Sequence, residues 1–248
     1  LTAAFENLDR LARSKRGADG SKDAFLALFL TERQDCHYFR QLRSGSLKLA
    51  GDDYVVEQCS EKNAVVVKNG DGKALYLFAG RQIATAERLE VLALTIDGDI
   101  PDGGKTTDVI KKIISEGGVP VLPWAPGKWF GDRGKIVSAI LDSMSPGQLL
   151  IGDTSMRPLG WGEPLIMRKA ARKGFKTVAG TDPLPFEGEE NIIGKYVTAF
   201  NADFDVKKPV SNLRRLLSGS AVEISRAGRR SCPLSVLRRL WLNRRRKA

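Results

Sequence analysis

The fold class is decided by residues 107–122, which read TDVIKKIISEGGVPVL. In this stretch, Thr107–Glu116 is amphipathic with a helical period, and Gly117-Gly118 stands where a helix C-cap belongs. Val119–Leu122 follows at once as a short apolar run. A helix that ends on glycine and passes directly into an apolar strand is typical of α/β folds, in which helices cross over between strands of a parallel sheet.

The same unit recurs along most of the chain. Two further amphipathic stretches, Lys135–Met144 and Glu163–Lys173, are each followed by glycine and an apolar run. The runs that predict strands are Ala24–Leu30, Ala74–Ala79, Glu90–Ile96, Val119–Leu122, Gln148–Ile151 and Lys176–Ala179. This alternation predicts a mostly parallel sheet with crossover helices, and 248 residues suffice for one such domain.

An antiparallel β-ribbon is predicted as an insertion at Ser46–Ala79. Its strands are expected at Tyr54–Glu57, Ala64–Lys68 and Lys73–Phe78, with a hairpin turn at Asn69-Gly70-Asp71-Gly72. The ribbon is the one break in the rhythm of helix and strand that the sequence predicts.

The net charge of +11 is concentrated at the C-terminus. Residues 226–248 hold eight arginines, one lysine and no acidic residue, which gives +9 and leaves +2 for the other 225 residues. A chain that coats nucleic acid along its whole length is therefore not indicated. Val236, Leu237, Leu240 and Trp241 form an apolar stripe that predicts a helix docked on the domain, and contact of this basic segment with anionic lipid or nucleic acid is the alternative.

The sequence carries no sign of a membrane or secretory segment. No run approaches the ~18 apolar residues that a transmembrane helix needs, and Leu1–Arg16 lacks the apolar core of a signal peptide. Cys36, Cys59 and Cys232 are far apart and odd in number, which predicts free thiols rather than disulfides. A cytoplasmic location is therefore expected.

Polar residues and glycines cluster directly after the predicted strands, at Thr31-Glu32-Arg33, Gly80-Arg81-Gln82, Asp97-Gly98-Asp99, Trp124–Lys128, Gly152-Asp153 and Gly180-Thr181-Asp182. Five segments lie at or beside these strands: Thr31-Glu32-Arg33, Gly80–Thr85, Glu90–Leu94, Gly117–Trp124 and Gly180–Leu184. In this order the segments resemble motifs of the PHP (polymerase and histidinol phosphatase) family. Those motifs are Thr-Asp/Glu-His, Gly-x-Glu-Ile-Thr, His-x-Leu-x-Leu, Gly-Gly-x-x-Val-x-Ala-His and Gly-Ser-Asp-x-His. The resemblance covers about residues 1–196.

This resemblance implies a distorted (β/α)7-type barrel over residues 1–225, with the ribbon of residues 46–79 inserted and the strand ends opening on one face. The family's first strand carries a His-x-His pair and would precede Leu1, so either that strand is missing from this chain or the barrel is open at that point. Residues 226–248 would form a basic helix docked on the barrel.

The family's metal centre, which hydrolyses phosphate esters, is expected to be absent. Histidine positions of the family are occupied here by Arg33, Glu90, Trp124 and Leu184, and the bridging glutamate by Gln82. The single histidine, His37, matches no family ligand. We therefore predict no metal and no other cofactor. The alternative is a Mg²⁺ ion held by the carboxylates of Glu32, Glu90, Asp153 and Asp182.

One pocket at the strand ends is predicted to be lined by Glu32, Arg33, Gln82, Glu90, Trp124, Lys128, Asp153, Arg157 and Asp182. The guanidinium of Arg33 should lie within salt-bridge range of an acid of this set. Such a pocket predicts binding of a small anionic ligand bearing phosphate or carboxylate, or of a partner protein, with no catalytic residue assigned. Two alternatives stay open: a site whose acids are neutralised internally, and a metal-dependent phosphoesterase completed by residues upstream of Leu1.

Overall fold

A computed structural model describes residues 1–15, 24–50, 53–219 and 222–247. The helices are α1 (Thr2–Lys15), α2 (Tyr38–Ser44), α3 (Thr106–Ser115), α4 (Gly131–Ser143), α5 (Leu165–Arg172), α6 (Pro209–Ser218) and α7 (Pro233–Lys247), with 3-10 turns at Pro146–Gln148 and Glu189–Ile192. The strands are β1 (Ala27–Glu32), β2 (Val55–Gln58), β3 (Ala64–Lys68), β4 (Ala74–Ala84), β5 (Glu90–Leu94), β6 (Val119–Pro123), β7 (Leu150–Thr154), β8 (Thr177–Gly180), β9 (Tyr196–Phe200) and β10 (Ile224–Gly228).

Eight strands form one mixed sheet, in the order β2-β3-β4-β5-β6-β7-β8 with β1 paired to β4, while β9 and β10 form a separate hairpin. Of the seven ladders in the eight-stranded sheet, four are antiparallel and three are parallel. In the described part of the chain no ladder joins β8 to β1 or β2, so the sheet is not closed. The predicted (β/α)7-type barrel is therefore wrong, although each predicted apolar run overlaps a strand of this sheet and the ribbon β2-β3-β4 is antiparallel as expected.

The direction of β5 explains the error. Residues 85–89 are the only connection between β4 and β5, which is enough for a hairpin and too short for a crossover. After β5 the chain turns back at Thr95, and the amide of Gly103 donates to the carbonyl of Ala84 at 2.8 Å. Helix α3 therefore begins at the same end of the sheet as β5. As a result β6 runs antiparallel to β5 although a helix lies between them.

Alternating side chains of the strands pack into cores on the two faces of the sheet. Val91 and Ala93 of β5 pack with α3, α4 and α5 on what we call the α3 face. Leu92 and Leu94 point the other way, into the core under α6, which we call the α6 face. Helices α1 and α2 cover the β3–β4 end through a cluster of their own. The parity of a residue in its strand thus decides which face its side chain joins.

Helix α7 docks on the domain, but of the predicted apolar stripe Val236 alone is buried. Val236 and Arg239 are buried, whereas Leu237, Leu240 and Trp241 are exposed. Arg239 donates to Glu189 at 2.6 Å and to the carbonyl of Asp182 at 2.9 Å. The prediction of docking through Leu237, Leu240 and Trp241 is therefore wrong, because a buried ion pair takes the place that the apolar stripe was expected to fill.

Two further sequence expectations concern membranes and thiols. Among the described residues, no helix combines the length and the apolarity that crossing a bilayer requires. Cys36, Cys59 and Cys232 are free cysteines.

Candidate functional site

Strands β1, β4, β6, β7 and β8 all run in the same direction, so their carboxyl ends share one edge of the sheet. The nine residues predicted to form a pocket follow or end these strands, or begin the antiparallel β5, and they lie near this edge. They do not form one pocket. Strand alternation places Glu90 on the α6 face with Leu92 and Asp153 on the α3 face with Ile151.

On the α6 face, Glu90, Lys128 and Asp182 form one group. The Nζ of Lys128 lies 2.5 Å from Oε1 of Glu90, and both side chains are partly exposed. The hydroxyl of Thr154 donates to Oδ2 of Asp182 at 3.3 Å. Asp182 holds a left-handed backbone conformation with φ of 52°, which is rare outside glycine. The ammonium group of Lys128 therefore pairs with Glu90 and is not free to bind a ligand.

The carboxyl group of Asp182 is disfavoured as an anion. The residue reaches solvent, yet desolvation by the surrounding protein raises its pKa above the usual 3.8, and the charge of nearby Glu90 raises the pKa further. The hydrogen bond from Thr154 acts in the opposite direction. At neutral pH an ionised Asp182 therefore costs stability.

We expect Asp182→Asn to stabilise the protein at pH 7 by a small amount, at most about 3 °C in Tm, because solvent screens part of the charge repulsion. Asparagine tolerates the left-handed conformation, so the substitution adds no backbone strain. Because the native pKa is raised, the native state binds more protons than the unfolded state between pH 3.8 and the native pKa. The wild type therefore loses stability as pH rises through this range. Thermal melts across pH should show the gain of the variant vanish below pH 3.8. A variant less stable than the wild type at pH 7 would contradict this account.

On the α3 face, Asp153 and Arg157 belong to a closed network. Arg157 donates to both carboxylate oxygens of Asp153, at 2.8 and 2.5 Å. Tyr196 donates its hydroxyl at 2.7 Å and Arg226 donates at 3.0 Å to the same carboxylate. Burial opposes ionisation, but the hydrogen bonds from Arg157 and Tyr196 prevail and lower the pKa of Asp153. Burial, followed by the bond to Asp153, raises the pKa of Tyr196 to about 12.

Glu32 and Gln82 lie near a third group, which includes Arg40 on α2 and Arg81 on β4. A cavity of about 290 Å³, here called the arginine cavity, is lined by Gln34, His37, Arg40, Arg81, Gln82, Ile83, Asp99, Ile100 and Pro101. Its wall thus combines two guanidinium groups, an imidazole and two amides with an apolar side. Of the nine predicted residues, only Gln82 lines this cavity.

The two arginines of the cavity converge on Asp99. Arg40 donates to Oδ1 of Asp99 at 3.0 Å, and a terminal nitrogen of Arg81 lies 3.3 Å from the same oxygen. Arg40 also donates to Asp97 at 2.8 Å, whereas Arg81 donates to the carbonyl of Cys36 at 2.7 Å. Arg81 is buried, while the side chain of Asp99 is 73% exposed. The buried cation is therefore neutralised in part by an acid on the protein surface.

Polar atoms of the buried pair beside the cavity are left without hydrogen-bond partners. Nε of Arg81 and Oε2 of Glu32 have none among the described residues. Glu32 uses its other oxygen to accept from the amide of Phe39, at 2.9 Å. The shortest approach within the pair is 3.7 Å, longer than a charge-assisted hydrogen bond. Such buried groups cost free energy unless another partner reaches them.

Neither Trp124 nor Arg33 takes part in the contacts that define the three groups. Trp124 is buried in the core on the α3 face, where the ring of Trp161 lies edge-on with 6.0 Å between the ring centroids. Trp124 is not among the residues that line the arginine cavity. Arg33 is exposed and pairs with Asp35 at 3.3 Å. The expectation that Arg33 pairs with an acid of the predicted set is wrong, because a tight turn brings Asp35 within reach only two residues later.

The carboxylates proposed for magnesium do not converge. Asp153 is enclosed by its own cations, Glu32 lies beside Arg81, and Glu90 and Asp182 form a separate group. Within the described ranges, no three side chains of His, Cys, Asp or Glu are placed to hold one metal ion. The residues present do not fit a PHP-type metal centre, since Arg33, Trp124 and Leu184 offer no ligand atoms where the family has imidazoles.

Sequence reasoning missed Arg40, His37 and Asp99 as members of one cavity. Arg81 stands beside Gln82 in the strand-end segment Gly80–Thr85, which was a usable signal. Arg40 carried no such signal, because its approach to Asp97 and Asp99 joins segments that are almost sixty residues apart along the chain.

The fold has a counterpart among solved structures. The crystal structure of PsfC from Pseudomonas syringae PB-5123 is similar to this chain with a TM-score of 0.54, covering 98% of this chain and 88% of that chain at 16% sequence identity. No protein-family model matches the chain. No curated protein matches it either. At this identity the similarity to PsfC shows a shared fold alone.

Proposed function

We propose that this chain binds a small ligand bearing a phosphate or carboxylate group in the arginine cavity. The observation that carries the proposal is the convergence of Arg40 and Arg81 on the exposed carboxylate of Asp99 at the cavity wall. The PHP resemblance is kept here as a proposal, and Gln82, which it singled out, lines this cavity. The three free cysteines support the proposed cytoplasmic location.

Asp99 acts as an exchangeable counter-ion in this proposal. Arg81 is buried, and a buried guanidinium left without a carboxylate is strongly destabilising. Without ligand, Asp97 and Asp99 supply that charge; with ligand, the anion takes the place of Asp99 on the two arginines. Release of Asp99 is inexpensive because its side chain is already 73% exposed and regains water when it leaves.

The remaining walls suit an organic ligand rather than a bare ion. The amides of Gln34 and Gln82 offer donors and acceptors, and Ile83, Ile100 and Pro101 form an apolar side. Binding sites for small molecules commonly combine a few directed polar groups with apolar walls, and a volume of about 290 Å³ fits a compact metabolite. Two arginines in forked geometry favour planar carboxylate or phosphate oxygens over other anions.

The test is calorimetric titration with inorganic phosphate, succinate and citrate at millimolar concentrations. We expect at least one of these probes to bind, Arg40→Gln to weaken that binding at least about tenfold, and Asp99→Asn to strengthen it about tenfold by removing the competing acid. Arg33→Gln is the matched control, because Arg33 is an arginine near the same edge that pairs with Asp35 and does not line the cavity. The Arg33→Gln variant should bind the probes with the affinity of the wild type.

The direction of the Asp99→Asn effect separates the proposal from a structural role. If Asp99 only neutralises the arginines, the substitution lowers stability and no probe binds. Absence of binding by all three probes, or equal losses in Arg40→Gln and Arg33→Gln, would contradict the arginine cavity as the site.

A further inference from the structure

Helix α7 presents an apolar surface to solvent. Leu234, Leu237 and Trp241 are 78%, 63% and 51% exposed, and they repeat at helical spacing together with Leu240. We call these four residues the α7 strip. Isolated exposed leucines are common on proteins, but a continuous strip of this kind marks an interaction surface.

A second exposed apolar segment lies beside the start of α7. The amide of Leu159 donates to the carbonyl of Ser231 at 2.8 Å, and Arg230 donates to the carbonyl of Trp161 at 2.9 Å. These bonds hold the loop of Leu159–Trp161 next to Pro233, where α7 begins. The side chains of Leu159 and Trp161 are both exposed. A second segment of the chain that exposes a leucine and a tryptophan therefore lies next to the start of α7.

The C-terminal segment that carries the α7 strip has charge of one sign. Residues 226–248 contain eight arginines, one lysine and no acid. Of these, Arg229, Arg238, Arg244 and Arg245 are exposed. The guanidinium of Arg245 lies 3.8 Å above the ring of Trp241, so that cation and aromatic ring are presented together. Charge complementarity thus favours an anionic partner.

We infer that the α7 strip and the Leu159–Trp161 loop dock onto the surface of a membrane that contains anionic lipids. Leucine and tryptophan enter the boundary between head groups and acyl chains, while the surrounding arginines contact the phosphates. A bound nucleic acid would use the arginines but would leave exposed leucines without a partner. A groove in a protein accepts one face of one helix, whereas a lipid surface accepts both the helix and the neighbouring loop.

The strip is held ready for such a surface. Arg239 lies on the opposite side of α7, where Glu189 and the carbonyl of Asp182 fix it. The helix is therefore already folded and oriented before docking, so that binding requires no coil-to-helix transition. Membrane association of this kind depends on both apolar contact and charge, so salt and lipid composition should each affect it.

Co-sedimentation with vesicles tests the inference, using phosphatidylcholine with one third phosphatidylserine against phosphatidylcholine alone. We expect binding to the anionic vesicles only, weakened by added salt, with a blue shift in tryptophan emission. Leu237→Asp should weaken binding at least about tenfold, as expected when one interfacial leucine is replaced by an acid. Val206→Asp is the matched control, because Val206 is similarly exposed and the charge change is the same. Both variants should keep the Tm of the wild type, since both side chains are exposed.

Three results would overturn the inference. The first is equal binding to neutral and anionic vesicles, and the second is equal loss in Leu237→Asp and Val206→Asp. The third is tight binding of duplex DNA that Leu237→Asp leaves unchanged, with no vesicle binding, which would assign the arginines to nucleic acid.

Discussion

Asp153→Ala is expected to lower the free energy of unfolding by about 3–5 kcal/mol, the cost of breaking a buried ion pair from one side. The substitution leaves Arg157 buried without its carboxylate, removes the acceptor of the Tyr196 hydroxyl, and leaves Arg226 with Glu163 as its remaining carboxylate partner. The cost lies in these stranded donors rather than in the lost volume of a small side chain. Urea unfolding followed by circular dichroism measures it, and a protein of typical stability would lose much of its margin.

Asp142→Ala is the matched control for this prediction. Asp142 is an exposed acid that pairs with exposed Lys173, and an exposed pair contributes at most about 1 kcal/mol. The pH dependence supplies a second criterion. Because the native pKa of Asp153 is lowered, its contribution is present above 3.8 and is lost as pH falls through the native value. The difference between wild type and Asp153→Ala should therefore shrink in acid, and a cost below about 1 kcal/mol at pH 7 would show that the network does not support the fold.

How far the fold could be predicted from sequence is clearest at β5. Glu90–Leu94 is a strand at the predicted position, because its apolar alternation is a local property. Its direction is not local. The hairpin over residues 85–89 was short enough to indicate an antiparallel neighbour, but the return of residues 95–105 beside β4 depends on the bond from Gly103 to Ala84. An alternation of helix and strand therefore predicted a barrel where the chain forms an open, mixed sheet.

The site shows the same division between local and long-range information. Strand alternation separates Glu90 from Asp153 by face, and this could have been read from Leu92 and Ile151 in the sequence. The convergence of Arg40, Arg81 and Asp99 could not have been predicted from the sequence. These residues lie on a helix, a strand and a loop that only the folded chain brings together. Acids near a strand end thus predicted the correct edge of the sheet but grouped residues that belong to different faces.

Helix α7 was assigned the wrong buried face because apolarity was taken as the criterion for burial. Leu237 and Trp241 are the more apolar residues, yet Arg239 is the one buried, because it forms an ion pair with the buried carboxylate of Glu189. A buried arginine is tolerated only where a carboxylate and further acceptors are in place, and those lie in a segment distant in sequence. The sequence of the helix alone therefore does not indicate that these acceptors are present.

Arg239→Ala is accordingly expected to lower the free energy of unfolding by about 3–5 kcal/mol, and to release α7 from the domain. Its removal leaves Glu189 buried without a cation and frees the carbonyl of Asp182. Deletion from Ser235 onward removes the same contacts and should lower Tm in the same direction. Limited proteolysis should then cut within Pro233–Lys247 in the variant under conditions that leave the wild type intact.

Two further variants decide whether the ion pair or the helix as a whole is responsible. Arg238→Ala is the matched control, since Arg238 is the exposed neighbour on the same helix and its loss should change stability by no more than about 0.5 kcal/mol. The double variant Arg239→Met with Glu189→Gln should regain much of the stability lost in Arg239→Ala, because no buried charge remains unpaired. If the double variant is less stable than Arg239→Ala, Glu189 is not what makes the loss of Arg239 costly. If Arg238→Ala is as damaging as Arg239→Ala, the buried pair is not what fixes α7, and the apolar contacts of Val236 would have to hold the helix instead.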